Sequence, residues 1–223
     1  MKKIFMSILG VFLMTTGMQA QELVKDGEFD KADFSIAYGK AGDCSYGVWC
    51  VNNTEAPGVA TIQVVDDKQR GKVAQFSVDP KLTTWYKAFV AQRYEGTVEP
   101  GIYRLTFWAK SKDGGEVKAF VRLTNEDGKD LQRFFVCNQS KPKKDDRKFY
   151  GGFAKAAPGM GWKQYTADFD FRKVTNTIYA FTMQETEDAT ETDLTNFSIC
   201  FQNSSAEGTT IQVDGISLQK LAE

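Results

Sequence analysis

"IYRLTFWAKSKDGGEVKAFVRLT", residues 102–124, decides the fold. In a strand, successive side chains point to opposite faces, so residues of one parity share a face. Tyr103, Leu105, Phe107 and Ala109 share one parity; Arg104, Thr106, Trp108 and Lys110 share the other. After the turn signal "KDGG" the alternation resumes. Val117, Ala119, Val121 and Leu123 stand on one side, Lys118, Phe120 and Arg122 on the other. The apolar parity of each half predicts a core face. The reading is two strands, 102–110 and 116–124, joined at glycines.

The same period recurs along the chain. "VATIQVVD" (59–66), "KVAQFSV" (72–78), "WYKAFVAQRY" (85–94), "LQRFFVC" (131–137), "KQYTADFDF" (163–171), "TIYAFTMQ" (177–184), "NFSICFQ" (196–202) and "TTIQVDGISL" (209–218) all read as strands. "DDKQRGK", "EPG", "NEDGKD" and "SSAEG" punctuate them as turns. No long segment carries the helical period. Short strands at this spacing predict an all-β protein, an antiparallel β-sandwich. On "NFSICFQ", Phe197, Ile199 and Phe201 face in, and Ser198, Cys200 and Gln202 face out. Residues 138–161 read as one long irregular insertion. Loops of that length are functional or disordered.

Residues 1–20 predict an export signal. Lys2 and Lys3 precede an apolar run over residues 4–14, and Met18-Gln19-Ala20 ends on a small residue. The run is short of the roughly 20 residues of a membrane span. Cleavage near Ala20 leaves residues 21–223 as one domain, in the periplasm, at the cell surface or secreted. Membrane insertion is not expected. Lys2 and Lys3 are the only charges lost, so 26 basic residues then face 29 acidic ones, a net charge of −3. That balance argues against nucleic acid, which requires clustered positive charge.

The chain has no histidine. This excludes histidine-based triads and histidine-ligated zinc. A retaining glycosidase instead needs two carboxyl groups about 5–5.5 Å apart. The acidic run "QETEDATETD" (184–193) reads as a solvated loop, so no enzyme is expected and no catalytic residue is named. Four cysteines, Cys44, Cys50, Cys137 and Cys200, allow three pairings. Cys44 and Cys50 are favoured as a pair because they bracket one short turn, "CSYGVWC".

Four segments in order resemble carbohydrate-binding modules of families 4, 9 and 22. They are "ELVKDGEFDKADF", "VEPGIYRLTFWAKSKDG", "GWKQYTADFDF" and "TTIQVDGISLQK", and they span most of residues 21–223. The resemblance implies a jelly-roll β-sandwich of the galactose-binding-like type, and non-catalytic binding of an oligo- or polysaccharide on a concave sheet face. The insertion at 138–161 and Asp214-Gly215, where two acidic residues are common, depart from the pattern.

Sugar recognition takes aromatic faces for pyranose C–H surfaces and planar polar groups for hydroxyl pairs. By that chemistry the candidate ligand contacts are Tyr46, Trp49, Tyr86, Gln92, Trp108, Lys118, Arg122 and Gln202. Gln202 and Gln92 lie on strands similar to those that present glutamines in the modules, and Lys118 and Arg122 on one that offers a basic contact. Each has a plainer alternative. The glutamines are then merely solvated, Trp108 packs at the sheet rim, and Arg122 pairs with Glu116 or a neighbouring Asp. Trp49 is expected to be partly structural and Tyr46 to face the ligand. The resemblance also implies one structural calcium, at Asp26 or Glu28 together with Asp214; the alternative makes Asp214 a bulge residue bonded to backbone amides. No other cofactor is expected. The rival functional reading is an envelope-associated structural or protein-interaction domain with no sugar site. If the outward aromatics and Gln202 scatter over both sheets, the sugar site fails and this reading takes over.

Overall fold

The computed structural model describes residues 21–37, 46–53, 60–79, 88–124, 130–135, 154–172, 174–175, 191–192, 194–195, 197–203 and 208–222. The export-signal segment, Cys44, Tyr86, Cys137 and the strand expected at 177–184 lie outside these residues.

All thirteen described elements are strands: β1 (Trp49–Asn53), β2 (Ala60–Asp67), β3 (Gly71–Val78), β4 (Ala88–Arg93), β5 (Thr97–Val98), β6 (Ile102–Thr124), β7 (Asp130–Phe135), β8 (Ala154–Asp170), β9 (Val174–Thr175), β10 (Glu191–Thr192), β11 (Leu194–Thr195), β12 (Phe197–Asn203) and β13 (Thr209–Lys220). Every strand pairing is antiparallel. The main hydrogen-bonded path runs β1-β4-β12-β6-β13-β3-β2, with β7 and β8 also on β6; β9–β10 and β5–β11 are small separate pairs.

The two strands expected at 102–110 and 116–124 are one strand of 23 residues. Its first half pairs with β13 through Tyr103 to Ser111, and its second half with β12 through Val117 to Leu123. Between the halves, Gly114 (φ 88°) and Gly115 (φ 122°) adopt backbone angles that side chains disfavour. The chain therefore creases without ending, while β8 stays paired along both halves from Ile102 to Val117. Ser111 Oγ secures the crease, 2.6 Å from the Gly114 carbonyl and 2.9 Å from that of Thr210.

Folding at the crease sets two sheets face to face. One holds β2, β3, β13, the first half of β6 and most of β8. The other holds β1, β4, β12, the second half of β6 and β7. Their inner faces share one core, in which Tyr103, Leu105, Phe107, Val117, Ala119, Val121, Phe197, Ile199 and Phe201 are buried. Rings meet across the gap: Phe107 edges onto Phe201 at 5.2 Å, and Phe171 links Tyr103 (5.2 Å) to Phe197 (6.4 Å). This is the expected antiparallel β-sandwich.

Two further expectations change. Residues 154–161, read as part of an irregular insertion, form the start of β8. Trp49 and Cys50, read as a loop, open β1.

The segment ahead of β1 straps onto β13. Leu23 N donates to Leu218 O at 3.0 Å, and Ile216 N to Gly27 O at 3.1 Å. Only glycine fits at position 27, since a Cβ there would stand 2.0 Å from Ile216 O. Glu22 fixes the same contact, accepting from Leu218 N and Gln219 Nε2, each at 2.9 Å.

Candidate functional site

Strand register builds the outer face of the second sheet. With Phe197, Ile199 and Phe201 inside, Ser198, Cys200 and Gln202 of β12 face away from the core. On β4, Val90 joins the core, so Phe89, Ala91 and Arg93 share the outer face. On β6, Val117, Ala119 and Val121 are inside, which leaves positions 118, 120 and 122 outside.

Pairing arranges these positions in rows. Gln202 lies opposite Lys118. Cys200 lies between Ala91 and Phe120, with Cys50 beyond Ala91 and Phe135 beyond Phe120. Ser198 lies between Arg93 and Arg122, and Arg122 lies opposite Arg133. The centre of the face is closed: Phe89, Ala91, Ser198, Cys200 and Gln202 are all buried. Its margin is more open, with Asn52 and Arg93 half-buried. Gln202 is 2% exposed, and its Oε1 has no hydrogen-bond partner among the described residues. A buried acceptor left unmet costs about 1–3 kcal/mol.

Lys118, Arg122 and Gln202 thus come together on one face; the other candidates do not join them. Gln92 has the opposite parity from the one expected. It lies on the core side, where its Oε1 accepts from Lys25 N at 2.8 Å and its Nε2 donates to Lys25 O at 2.6 Å. The amide acts as a peptide bond would, clamping the N-terminal strap. Ligand contact at Gln92 is corrected to an internal hydrogen-bonding role. Trp49 is its strand partner and is likewise in the core. The indole packs 5.0 Å from Phe29 and donates from Nε1 to Asp26 O at 2.9 Å. That corrects the expected contact at Trp49 too. Tyr46 is half-buried against Tyr94, ring centroids 5.0 Å apart, under the Lys25 ammonium at 3.9 Å. Burial pushes its phenol up, with smaller contributions from Tyr94 and Glu22. Of "CSYGVWC", both aromatics pack on the core side.

Trp108 belongs to the other sheet's outer face, within a charged cluster. The Arg70 guanidinium lies 4.8 Å from the Trp108 ring centroid and 5.5 Å from that of Trp162. Arg70 Nε donates to Asp214 Oδ2, and its NH2 lies 3.7 Å from Glu28. Asp214 is completely buried at the bulge of β13, and its Oδ1 has no partner among the described residues. Next to it, Lys110 pairs with Asp67, which also accepts from Trp162 Nε1 at 3.1 Å.

This geometry bears on the calcium expectation. Calcium takes six to eight oxygens, several of them carboxylate. The Asp26 carboxylate is turned to its own loop, accepting from Lys31 N at 3.1 and 3.2 Å. Asp214 Oδ2 is committed to Arg70, whose positive charge already stands where a cation would be attracted. Only Glu28 and one Asp214 oxygen remain. Burial, and then the Asp214 charge, push the Glu28 carboxyl up against the pull of Arg70. Asp26, Glu28 and Asp214 do not fit a calcium ion here. Among the described residues no group of three or more His, Cys, Asp or Glu side chains is placed to hold a metal.

Sequence reading missed Arg70, Asp67, Trp162, Arg93 and Arg133. Arg93 and Arg133 were reachable once the register was known. Arg70 sits in a hairpin turn, and no periodicity ties it to a residue 144 positions away.

The cysteine rows bear on pairing. Cys50 and Cys200 are two strands apart, about 10 Å at usual strand spacing. A disulfide needs Cα atoms within about 7 Å, so these two are not bridged to each other. The favoured Cys44–Cys50 pair involves a residue outside the described set.

A family profile described as "Domain of unknown function (DUF4627)" matches residues 22–196. No curated protein matches the chain. Among solved structures, the chain is similar to a "putative sugar binding protein" from Bacteroides thetaiotaomicron VPI-5482, with 24% identity over 90% of this chain and 100% of that one, TM-score 0.68. It is also similar to a family 61 module, TmCBM61, solved with beta-1,4-galactotriose (14% identity, 91% and 100% coverage, TM-score 0.47). The CBM22-2 xylan-binding domain of Paenibacillus barcinonensis Xyn10C is another (12%, 85% and 98%, TM-score 0.47). At these identities the likeness concerns the fold, and the β-sandwich expected from the resemblance to carbohydrate-binding modules is the fold found.

Proposed function

The chain belongs to the DUF4627 family, and from that premise we propose that it is an exported, non-catalytic carbohydrate-binding protein. The ligand lies on the outer face of the β1–β4–β12–β6 sheet. Gln202 supplies hydrogen bonds at one end, opposite Lys118, and Arg122 stands four residues along the face, opposite Ser198. The observation that carries this reading is the buried Gln202 Oε1 with no partner among the described residues. A sugar hydroxyl donating to it would recover the unmet hydrogen bond. Because Gln202 is shielded, binding is coupled to uncovering it. The sugar-binding description of the similar Bacteroides structure agrees with this reading. Export rests on residues 1–20, and a Cys44–Cys50 staple belongs to the same proposal.

The test is a glycan panel on the purified protein, with Gln202→Leu beside it. Binding of at least one glycan is expected. Gln202→Leu should weaken it by about tenfold while the melting temperature holds or rises. Binding by neither protein, or equal binding by both, overturns the proposal.

One observation favours the rival reading, a protein-interaction domain at the cell envelope. Trp108 stands on the opposite sheet, and Trp49 and Gln92 lie inside. A protein captured on the outer face, with no glycan bound, would support that reading.

A further inference from the structure

We infer that the glycan of this face is anionic, its carboxylate or sulfate groups held by a row of three arginines. This rests on the glycan reading above and names the ligand class of the same site. Arg93, Ser198, Arg122 and Arg133 form one continuous row across β4, β12, β6 and β7. Lys118 adds a fourth cation beside Gln202. Like charges directly opposite each other destabilise a sheet, and Arg122 is the direct partner of Arg133.

β1, β4 and β12 contain no Asp or Glu. Glu116 and Asp130 stand at opposite ends of the face. Glu116 is six positions from Arg122, about 20 Å along a strand, and its cross-strand partner is Lys155. Asp130 lies opposite Thr124, beyond a register shift. Arg93 makes no ion pair among the described residues; Arg70, Arg104, Lys110 and Lys220 all do.

Guanidinium groups bind carboxylate and sulfate through paired hydrogen bonds. A planar amide that lacks a donor suits the hydroxyls of the same chain. The arginine row and Gln202 are four residues apart on β12, about 13 Å. A ligand that engages both is an oligosaccharide or longer, with acid groups along it.

The experiment compares matched glycans on the purified protein by affinity electrophoresis and calorimetry. One pair is polygalacturonate and its carboxyl-reduced form; the other is dextran sulfate and dextran. The acidic member of at least one pair should bind about tenfold tighter, which also decides between carboxylate and sulfate. Arg122→Gln and Arg133→Gln should weaken binding of the acidic member only, and added salt should weaken it further. Equal binding of both members in both pairs overturns the anionic reading and leaves the glycan reading intact. No binding to any of these or to a wider neutral panel overturns both. Polyphosphate bound as tightly, with Gln202→Leu without effect, also overturns it, since charge alone would then explain the binding. Should an arginine variant fail to fold, the matched glycans still decide, because they alter only the ligand.

Discussion

Arg70 and Asp214 are 144 residues apart in the chain, and the guanidinium of one donates to the buried carboxylate of the other. The contact ties the β2–β3 turn to the bulge of β13. Two indoles, Trp108 and Trp162, flank the cation and lower its exposure to water. Arginine suits the place because its planar group can stack and hydrogen-bond together.

Removing Arg70 alone would leave Asp214 buried and uncompensated. Arg70→Met is expected to destabilise the fold by about 3 kcal/mol, read as a lower midpoint in urea unfolding. Adding Asp214→Asn to it should recover a large part of that loss. A double variant no more stable than the single one would remove the charge-pair account.

Calcium should leave the wild-type protein unmoved. With Arg70 opposite Asp214, and Asp26 turned to Lys31, the expected melting temperature is the same in millimolar calcium and in chelator. A rise with calcium would show that the carboxylates collect an ion despite Arg70.

Gln92→Leu keeps the volume of the side chain and removes both hydrogen bonds to Lys25. The stranded peptide groups should cost about 1–3 kcal/mol. Hydrogen exchange should rise at Leu23 and Val24, where the strap meets β13. Unchanged exchange there would mean that Glu22 and Gly27 hold the strap without Gln92.

Acid should find the Lys110–Asp67 pair. Burial alone would push the Asp67 carboxyl up. Hydrogen bonds from Lys110, the Gln69 backbone and Trp162 outweigh it and hold the group at about 2, below its ordinary 3.8. The folded state therefore binds this proton less readily than the unfolded chain. The contribution is full above pH 3.8 and is lost as pH falls towards 2. Asp67→Asn should flatten stability against pH in that window. An unchanged slope would assign acid sensitivity elsewhere, for instance to Asp168, whose carboxyl is lowered by its hydrogen bond with Arg104.

The core was legible where one parity was apolar and the other was not. Tyr103 to Ala109 and Phe197 to Phe201 fall as alternation predicts. It was not legible on β4, where Ala88 and Val90 oppose Phe89 and Ala91 and both parities are apolar. The likeness of this strand to one that presents a glutamine in the modules then tipped Gln92 outward. Its partner, the Lys25 peptide, is set by tertiary approach and leaves no local mark. Trp49 was expected to be partly structural and is in the core, but its place in β1 was hidden because cysteines and a glycine made the stretch look like a loop. On the outer face, Gln202, Lys118 and Arg122 were legible singly. Their rows with Arg93 and Arg133 required the strand register.

The crease at Gly114–Gly115 has a consequence for how the molecule comes apart. Because β6 runs through both sheets, neither can peel away as a separate module while that strand stays whole. The second half of β6, which pairs with β12, continues along the same backbone into the first half, which carries Trp108. Any contact that stiffens β12 is therefore expected to steady β13 through the strand they share.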